Sequence, residues 1–190
     1  RIDGTIVNTT QRQQLYSTQR ITAGSKVDFD TVSAAIWNEK QKLTAIDGAA
    51  EDRFGTSVSI SSDGLTALIG SPEDDINGNN SQGSAYIFTF DGMNWNEQQK
   101  LAASDGAAAD RFGTSVNISS DGLTALIGSP FDNIGSTIDQ GSAYVFTFDG
   151  TNWNQQQKLT GSDGAPGDVF GKAVSISSDG TTVIIGAEED

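Results

Sequence analysis

The chain has no cysteine and no histidine among its 190 residues, and only three prolines. Without cysteine there are no disulfides, no thiolate metal ligands and no thiol nucleophile, although the compartment stays open. Without histidine as well, neither a Ser–His nor a Cys–His nucleophile pair can form within the chain. General acid–base work would fall to carboxylates or lysine, and nothing in the sequence sets one carboxylate apart as a catalytic acid. Positive charge is also scarce, with 11 Lys and Arg against 25 Asp and Glu and a net charge of -14. Residues 1–40 carry five of the basic and four of the acidic groups, so the rest of the chain holds essentially all of the negative charge. Nucleic acid and anionic membranes reward basic surfaces and are poor partners for this chain, so no nucleic-acid partner is expected. No apolar run approaches the roughly 18 residues a membrane-spanning helix needs, so no membrane insertion is expected. Strong helix-forming stretches are missing too, while Gly, Ser, Thr, Asp and Asn abound. The composition points to an all-β chain.

What is present is a repeat. Residues 95–101 read W-N-E-Q-Q-K-L, residues 153–159 read W-N-Q-Q-Q-K-L, and residues 37–43 read W-N-E-K-Q-K-L. The same 58-residue step links Phe54-Gly55, Phe112-Gly113 and Phe170-Gly171, and the S-S-D-G runs that begin at Ser61, Ser119 and Ser177. A strict period of this length means that one supersecondary unit is stacked, with any activity placed on the loops it displays.

Within one unit, residues 57–61 alternate small polar residues with Val58 and Ile60, a period-2 strand. Asp63-Gly64 is a hairpin signal, because glycine accepts the positive φ of tight turns. Residues 65–70 form a second, nearly continuous apolar strand, as expected where both faces of a sheet are covered. A polar loop over 71–83 leads to a third strand at 85–90, with Tyr86, Phe88 and Phe90 on one face. Asp91-Gly92 turns into a fourth strand at 95–101, dominated by polar residues. Four antiparallel strands per unit describe a β-propeller blade, with the polar fourth strand on the outer rim and the small first strand at the crowded centre. A β-solenoid is the alternative, but its coils are much shorter than this unit.

The pattern F-G-T-S-V-x-I-S-S-D-G-L-T-A-L-I-G-S-P at 54–72 and 112–130 resembles the FG-GAP repeat of integrin α-subunit propellers. With W-N-x-x-Q-K-L and S-D-G-A appended, it is similar to the variety found in bacterial secreted and surface proteins. The resemblance covers about residues 41–190. It implies a propeller on an extracellular or cell-surface protein used for adhesion or ligand binding. Integrin-type repeats also carry an Asp-rich calcium loop between the first two strands. Here that connection is only Ser61-Ser62-Asp63-Gly64, with too few oxygens for calcium, so the family site is not carried over.

The organisation expected is a polar segment over 1–23, a divergent half-blade of strands three and four over 24–43, blades over 44–101 and 102–159, and a half-blade of strands one and two over 160–190. Half-blades at both ends leave unpaired strand edges, so the expectation is either that the rest of the ring lies outside this sequence or that half-blades of neighbouring chains complete one another in head-to-tail self-association. The loop-rich face is acidic, collecting Asp47, Glu51, Asp52, Glu73, Asp74 and Asp75 in one unit and Asp105, Asp110, Asp132 and Asp139 in the next. It is the candidate ligand-binding face, against the bland reading of a solvated acidic surface. No cofactor is required. Calcium has one candidate set, Asp74, Asp75 and Asn77, whose counterpart Phe131-Asp132-Asn133 repeats only part of it. Trp37, Trp95 and Trp153 are read as packing between rim strands, and Phe54, Phe112 and Phe170 as wedges between blades. The function expected is non-catalytic adhesion, protein binding or assembly. A lectin-like propeller that stacks sugar on the tryptophans is the alternative.

Overall fold

The period-2 strands, tight Asp-Gly turns and 58-residue step recur in the computed structural model, which describes residues 39–189. The segment 1–23, most of the expected half-blade 24–43 and Trp37 lie outside the described residues.

Ten strands appear. The first blade comprises β1 (Ser57–Ile60), β2 (Thr66–Ser71), β3 (Ser84–Phe90) and β4 (Trp95–Leu101) in the antiparallel order β1-β2-β3-β4. The second repeats it with β5 (Ser115–Ile118), β6 (Thr124–Ser129), β7 (Ser142–Phe148) and β8 (Trp153–Leu159). β9 (Ala173–Ile176) and β10 (Val183–Gly186) form a two-stranded sheet in the third repeat. These are propeller blades in an incomplete propeller.

The tight turns are built by aspartate. Asp63 accepts from the Ser61 hydroxyl at 2.6 Å and the Leu65 amide at 2.9 Å, and Gly64 takes φ 71°. Asp91 likewise accepts from the Met93 and Asn94 amides at 2.8 and 2.7 Å. These bonds hold both carboxyls below the usual carboxylate range.

A β-bulge between Ile87 and Phe88 decides which side chains of β4 face which way. Leu101 and Gln99 register with Ala85 and Ile87, whereas Glu97 and Trp95 register with Phe88 and Phe90. Strict alternation would put all four on one face; the extra residue, Gln98, sends the two halves of the strand to opposite faces. Leu101 therefore packs with Ala85, Ile87, Phe112 and Trp153 toward the next blade. Trp95 packs with Tyr86, Phe88 and Phe54 on the other side. One polar strand thus supplies an apolar anchor to each of its neighbours.

Blade meets blade through backbone. Residues Ala109, Arg111 and Phe112 donate their amides to the carbonyls of Asn80, Ser81 and Gln82 at 2.8, 3.1 and 2.9 Å. The Ser57 hydroxyl donates to the Gly113 carbonyl at 2.8 Å, and Ser115 repeats this with Gly171 at 2.7 Å. The approach leaves no room for a side chain. A methyl on Gly70 would stand 2.0 Å from the Gly113 oxygen, and one on Gly128 1.9 Å from that of Gly171. Phe112 fills the adjoining space, fully buried and edge-on to Tyr144 and Phe146 at centroid distances of 5.4 and 6.0 Å. On the opposite face, the turns form a backbone ladder in which Ser62 donates to the Ser120 carbonyl and Ser120 to that of Ser178, each at 3.0 Å.

Candidate functional site

The two long connections of each repeat share one face. Residues 72–83 join β2 to β3, and residues 102–114 join β4 to β5. The first is pinned by Gly83 donating to the Asp74 carbonyl at 2.9 Å and by an Ile76–Asn79 bridge, with Asn77 and Ser81 at φ 53° and 51°. The second is shaped by Asp110, whose carboxylate accepts from the Ala107 amide at 2.6 Å, and by Arg111 at φ 55°. The Asn79 amide also reaches the Gly106 carbonyl at 3.3 Å, stitching the loop of one repeat to that of the next.

Beneath these loops lies a charged clasp that occurs twice. Tyr86 and Lys100 are cross-strand partners on β3 and β4, so the lysine stem runs along the tyrosine ring and its ammonium emerges under the loops. The Lys100 Nζ sits 2.7 Å from both Asp47 Oδ2 and Asp74 Oδ2. Asp74 Oδ2 also accepts from the Ser84 hydroxyl at 2.5 Å and the Tyr86 hydroxyl at 3.0 Å, and Tyr86 lies 2.9 Å from Asp47 Oδ1. Lys158, Asp105, Asp132, Ser142 and Tyr144 repeat the arrangement, with the ammonium 2.6 and 2.7 Å from its two carboxylates. Burial works against the charge on Lys100, but the two aspartates outweigh it and hold the group above its ordinary range. The same contact with Lys100 holds Asp47 below its ordinary value. Burial pushes Tyr86 and Tyr144 up, so both stay neutral donors. Asp110, buried and close to Asp132 and Asp105, is pushed up to about 6 mainly by burial.

The Phe-Gly pairs at Phe112 and Phe170, each seated against the backbone of the repeat before it, and the fixed 58-residue step that also gives Phe54-Gly55, are the features that assign the family. The family model described as FG-GAP repeat matches residues 37–88, 95–146 and 153–190. The chain belongs to the FG-GAP repeat family. Such repeats are typically non-catalytic binding or adhesion elements of propellers, usually in extracellular or surface proteins. No curated protein sequence matches the chain. The FG-GAP match begins each unit at the rim tryptophan and ends inside the third strand or, in the last unit, at residue 190, so its units straddle the blades seen here.

This FG-GAP chain distributes the acidic candidates unevenly. Asp52, Asp74, Asp110 and Asp132 are buried. Asp52 accepts from the Ala49 amide at 2.5 Å, the same role as Asp110. Asp47 and Asp105 are half committed to the lysine clasps. Glu73 lies between Arg53 and Arg111 at 3.7 and 3.4 Å and accepts from Ser81. Where the next repeat has Phe131 instead, Arg111 and Lys172 approach its ring at 5.0 and 5.7 Å. Glu51 and Asp75 are exposed on the loop crests, and Asp139 is half-buried.

The residues between the first two strands do not fit the calcium known from integrin-type FG-GAP repeats, because the single carboxylate there, Asp63, is taken up by its own turn. Of the other calcium candidates, Asp74 is engaged by Lys100, Ser84 and Tyr86, Asp75 accepts from the Ser81 amide at 2.7 Å, and Asn77 is exposed at a positive-φ corner. Among the described residues, no group of three or more acidic side chains is arranged to hold a metal ion. The rim tryptophans are gripped by the preceding repeat. The Gln99 amide accepts from the Trp153 backbone N–H at 2.7 Å and donates to its carbonyl at 2.9 Å, and Gln41 treats Trp95 the same way at 2.8 and 3.0 Å. The Trp153 side chain is buried, at 4% exposure.

Sequence reasoning missed Lys100, Lys158 and the two tyrosines as partners of the aspartates. A signal for them existed: Lys, Tyr and both Asp positions recur together at the 58-residue step. Strand alternation alone gave no reason to place a rim lysine beneath a loop.

Proposed function

We propose that the chain is a non-catalytic binding segment of an extracellular or cell-surface protein, which engages a protein partner through the loop face of its blades. The observation that carries this reading is the clasp. Each Asp–Lys–Asp group ties the loop entering a blade to the loop between its second and third strands, fixing the shape of that face from below. The buried acids and the lysines are used up internally, which leaves Glu51 and Asp75 at the crests to meet a partner. A rigid acidic loop surface on a stacked scaffold suits a protein with exposed basic groups, by charge complementarity and without an ordering cost. Sugar stacking on the tryptophans draws no support from Trp153, whose ring is packed inside.

The test is binding of the chain to a panel of basic and acidic extracellular proteins and to a glycan array, at low and high salt. The reading expects salt-sensitive binding to basic proteins, lost in a Glu51→Lys, Asp75→Lys variant that melts like the parent. Binding unaffected by both salt and these substitutions, or binding to glycans alone, would refute it.

A further inference from the structure

Glu73 and Phe131 occupy equivalent positions at the 58-residue step, one acidic and the other aromatic. Glu73 sets its carboxylate between two cations, 3.7 Å from Arg53 and 3.4 Å from Arg111. Phe131 also stands between two cations, with the Arg111 guanidinium 5.0 Å and the Lys172 ammonium 5.7 Å from its ring centroid. The ring attracts them through its quadrupole but brings no net negative charge. Both cations stay accessible, with side chains 42% and 43% exposed. Their existing ion pairs leave donors over. Arg111 meets Glu73 through one nitrogen, Nη2, of a group that has five N–H donors. Lys172 reaches Glu188 only at 3.8 Å, between two exposed side chains, a kind of pair that water readily replaces. The same loop changes character elsewhere, since Asp75 gives way to Asn133 and Asn80 to Ile138, which is 64% exposed. The Ile138 carbonyl accepts from the Gly167 amide at 3.0 Å, the Asp139 carbonyl from Val169 at 3.1 Å, and the Val169 carbonyl from Lys172 at 3.1 Å. Ile138 therefore lies beside the turn that carries Lys172. One acid is close, Asp139, which stands where Ser81 bonds to Glu73 in the first repeat. Among the described residues, its carboxylate makes no ion pair with Arg111 or Lys172.

We propose that Arg111, Phe131, Ile138 and Lys172 form a binding site for an acidic side chain of a peptide, with a neighbouring apolar residue of that peptide seated on Ile138. The peptide carboxylate takes the place that Glu73 fills in the first repeat. It receives charge-assisted hydrogen bonds from the two cations, which the ring keeps in position. A sugar acid fits less well, because the ring already carries two cations and Ile138 offers an aliphatic contact, not a flat one. The site has the opposite sign to the crests at Glu51 and Asp75. It stands whether or not those crests bind basic proteins, because none of its contacts uses them.

The test is a titration of the full chain, isotope-labelled for amide NMR, with acetyl-Asp-Leu-amide, its neutral isostere acetyl-Asn-Leu-amide, and glucuronate. The acidic peptide should shift the amides of Arg111, Ile138 and Lys172 saturably. The neutral peptide should bind about tenfold more weakly, for want of the charge-assisted contact. Two variants carry residues that other repeats already hold at the same positions, Phe131→Glu as at Glu73 and Lys172→Thr as at Thr56 and Thr114. Each should keep the parent's circular dichroism and weaken the acidic peptide about tenfold. The proposal is overturned by the absence of a saturable shift at these amides, by equal binding of the two peptides, by unchanged binding in either variant, or by a response to glucuronate alone.

Discussion

Replacing Phe112 with alanine removes the side chain that fills the space between two blades, and the repeat supplies its own control in Phe54. Both rings make the same pair of edge-on contacts within their own repeat. Phe112 meets Tyr144 and Phe146 at 5.4 and 6.0 Å, and Phe54 meets Tyr86 and Phe88 at 5.5 and 6.0 Å. They differ in what lies behind them. Phe112 is fully buried against the first blade, whereas Phe54 is half-buried. Truncating a fully buried phenylalanine costs about 3–5 kcal/mol, through lost transfer energy and the cavity left behind. The Phe112→Ala loss should sit near 4 kcal/mol, and Phe54→Ala, which forfeits a similar aromatic pairing but less burial, near 2 kcal/mol. Urea unfolding followed by circular dichroism measures both. With a slope of about 2 kcal/mol/M, Phe112→Ala should lower the midpoint by about 2 M and Phe54→Ala by about half that. Equal shifts, or a larger one for Phe54→Ala, would refute the claim that blade-to-blade contact adds the second part of the energy.

Lys158→Met should cost about 2–3 kcal/mol in the same assay, since it leaves Asp132 buried without its cation; a loss below about 0.5 kcal/mol would show that the clasp is ornamental. Asp110 has its folded-state pKa raised to about 6 from 3.8, so the folded state binds that proton more tightly and stability should rise as pH falls from 7 to 5. Asp47 and Asp105 are shifted down, so their contribution is present above the ordinary carboxylate pKa and lost as pH falls below it. Thermal melts should therefore peak in mildly acid solution, and Asp110→Asn should flatten the rise between pH 5 and 7; an unchanged profile would contradict the assignment. Melting temperature in excess chelator should match that in millimolar calcium, and a large upward shift with calcium would turn attention to Glu73, Asp74, Asp75 and Asn77.

The strands were legible because their period and their turns are local chemistry: Val58 and Ile60 alternate, and Asp63-Gly64 and Asp91-Gly92 close the hairpins wherever they recur. Family and fold class followed from the same residues. What was not legible depends on contacts far apart in sequence. Trp95, Glu97, Gln99 and Leu101 share one parity, and only the bulge at Gln98 reveals that they serve two faces. In the loops, Asp74 and Asp75 are adjacent and chemically alike, yet one is buried on Lys100 and the other is exposed. Spacing cannot separate them, because the lysine that decides the matter lies on the far side of the blade's third strand. The glutamine grip on the tryptophan backbone was invisible for the same reason, since Gln99 and Trp153 are 54 residues apart.

The claim on which the rest depends is that repeats are joined by bare backbone, with Phe-Gly of one repeat against a glycine of the one before. Comparing Gly128→Ala with Gly186→Ala in urea tests it directly. At Gly128 the new methyl would lie 1.9 Å from the Gly171 carbonyl oxygen, and at Gly186 it meets nothing nearer than 3.6 Å. The account predicts a loss of about 3 kcal/mol for the first and less than about 0.5 kcal/mol for the second. Equal effects of the two substitutions would contradict it.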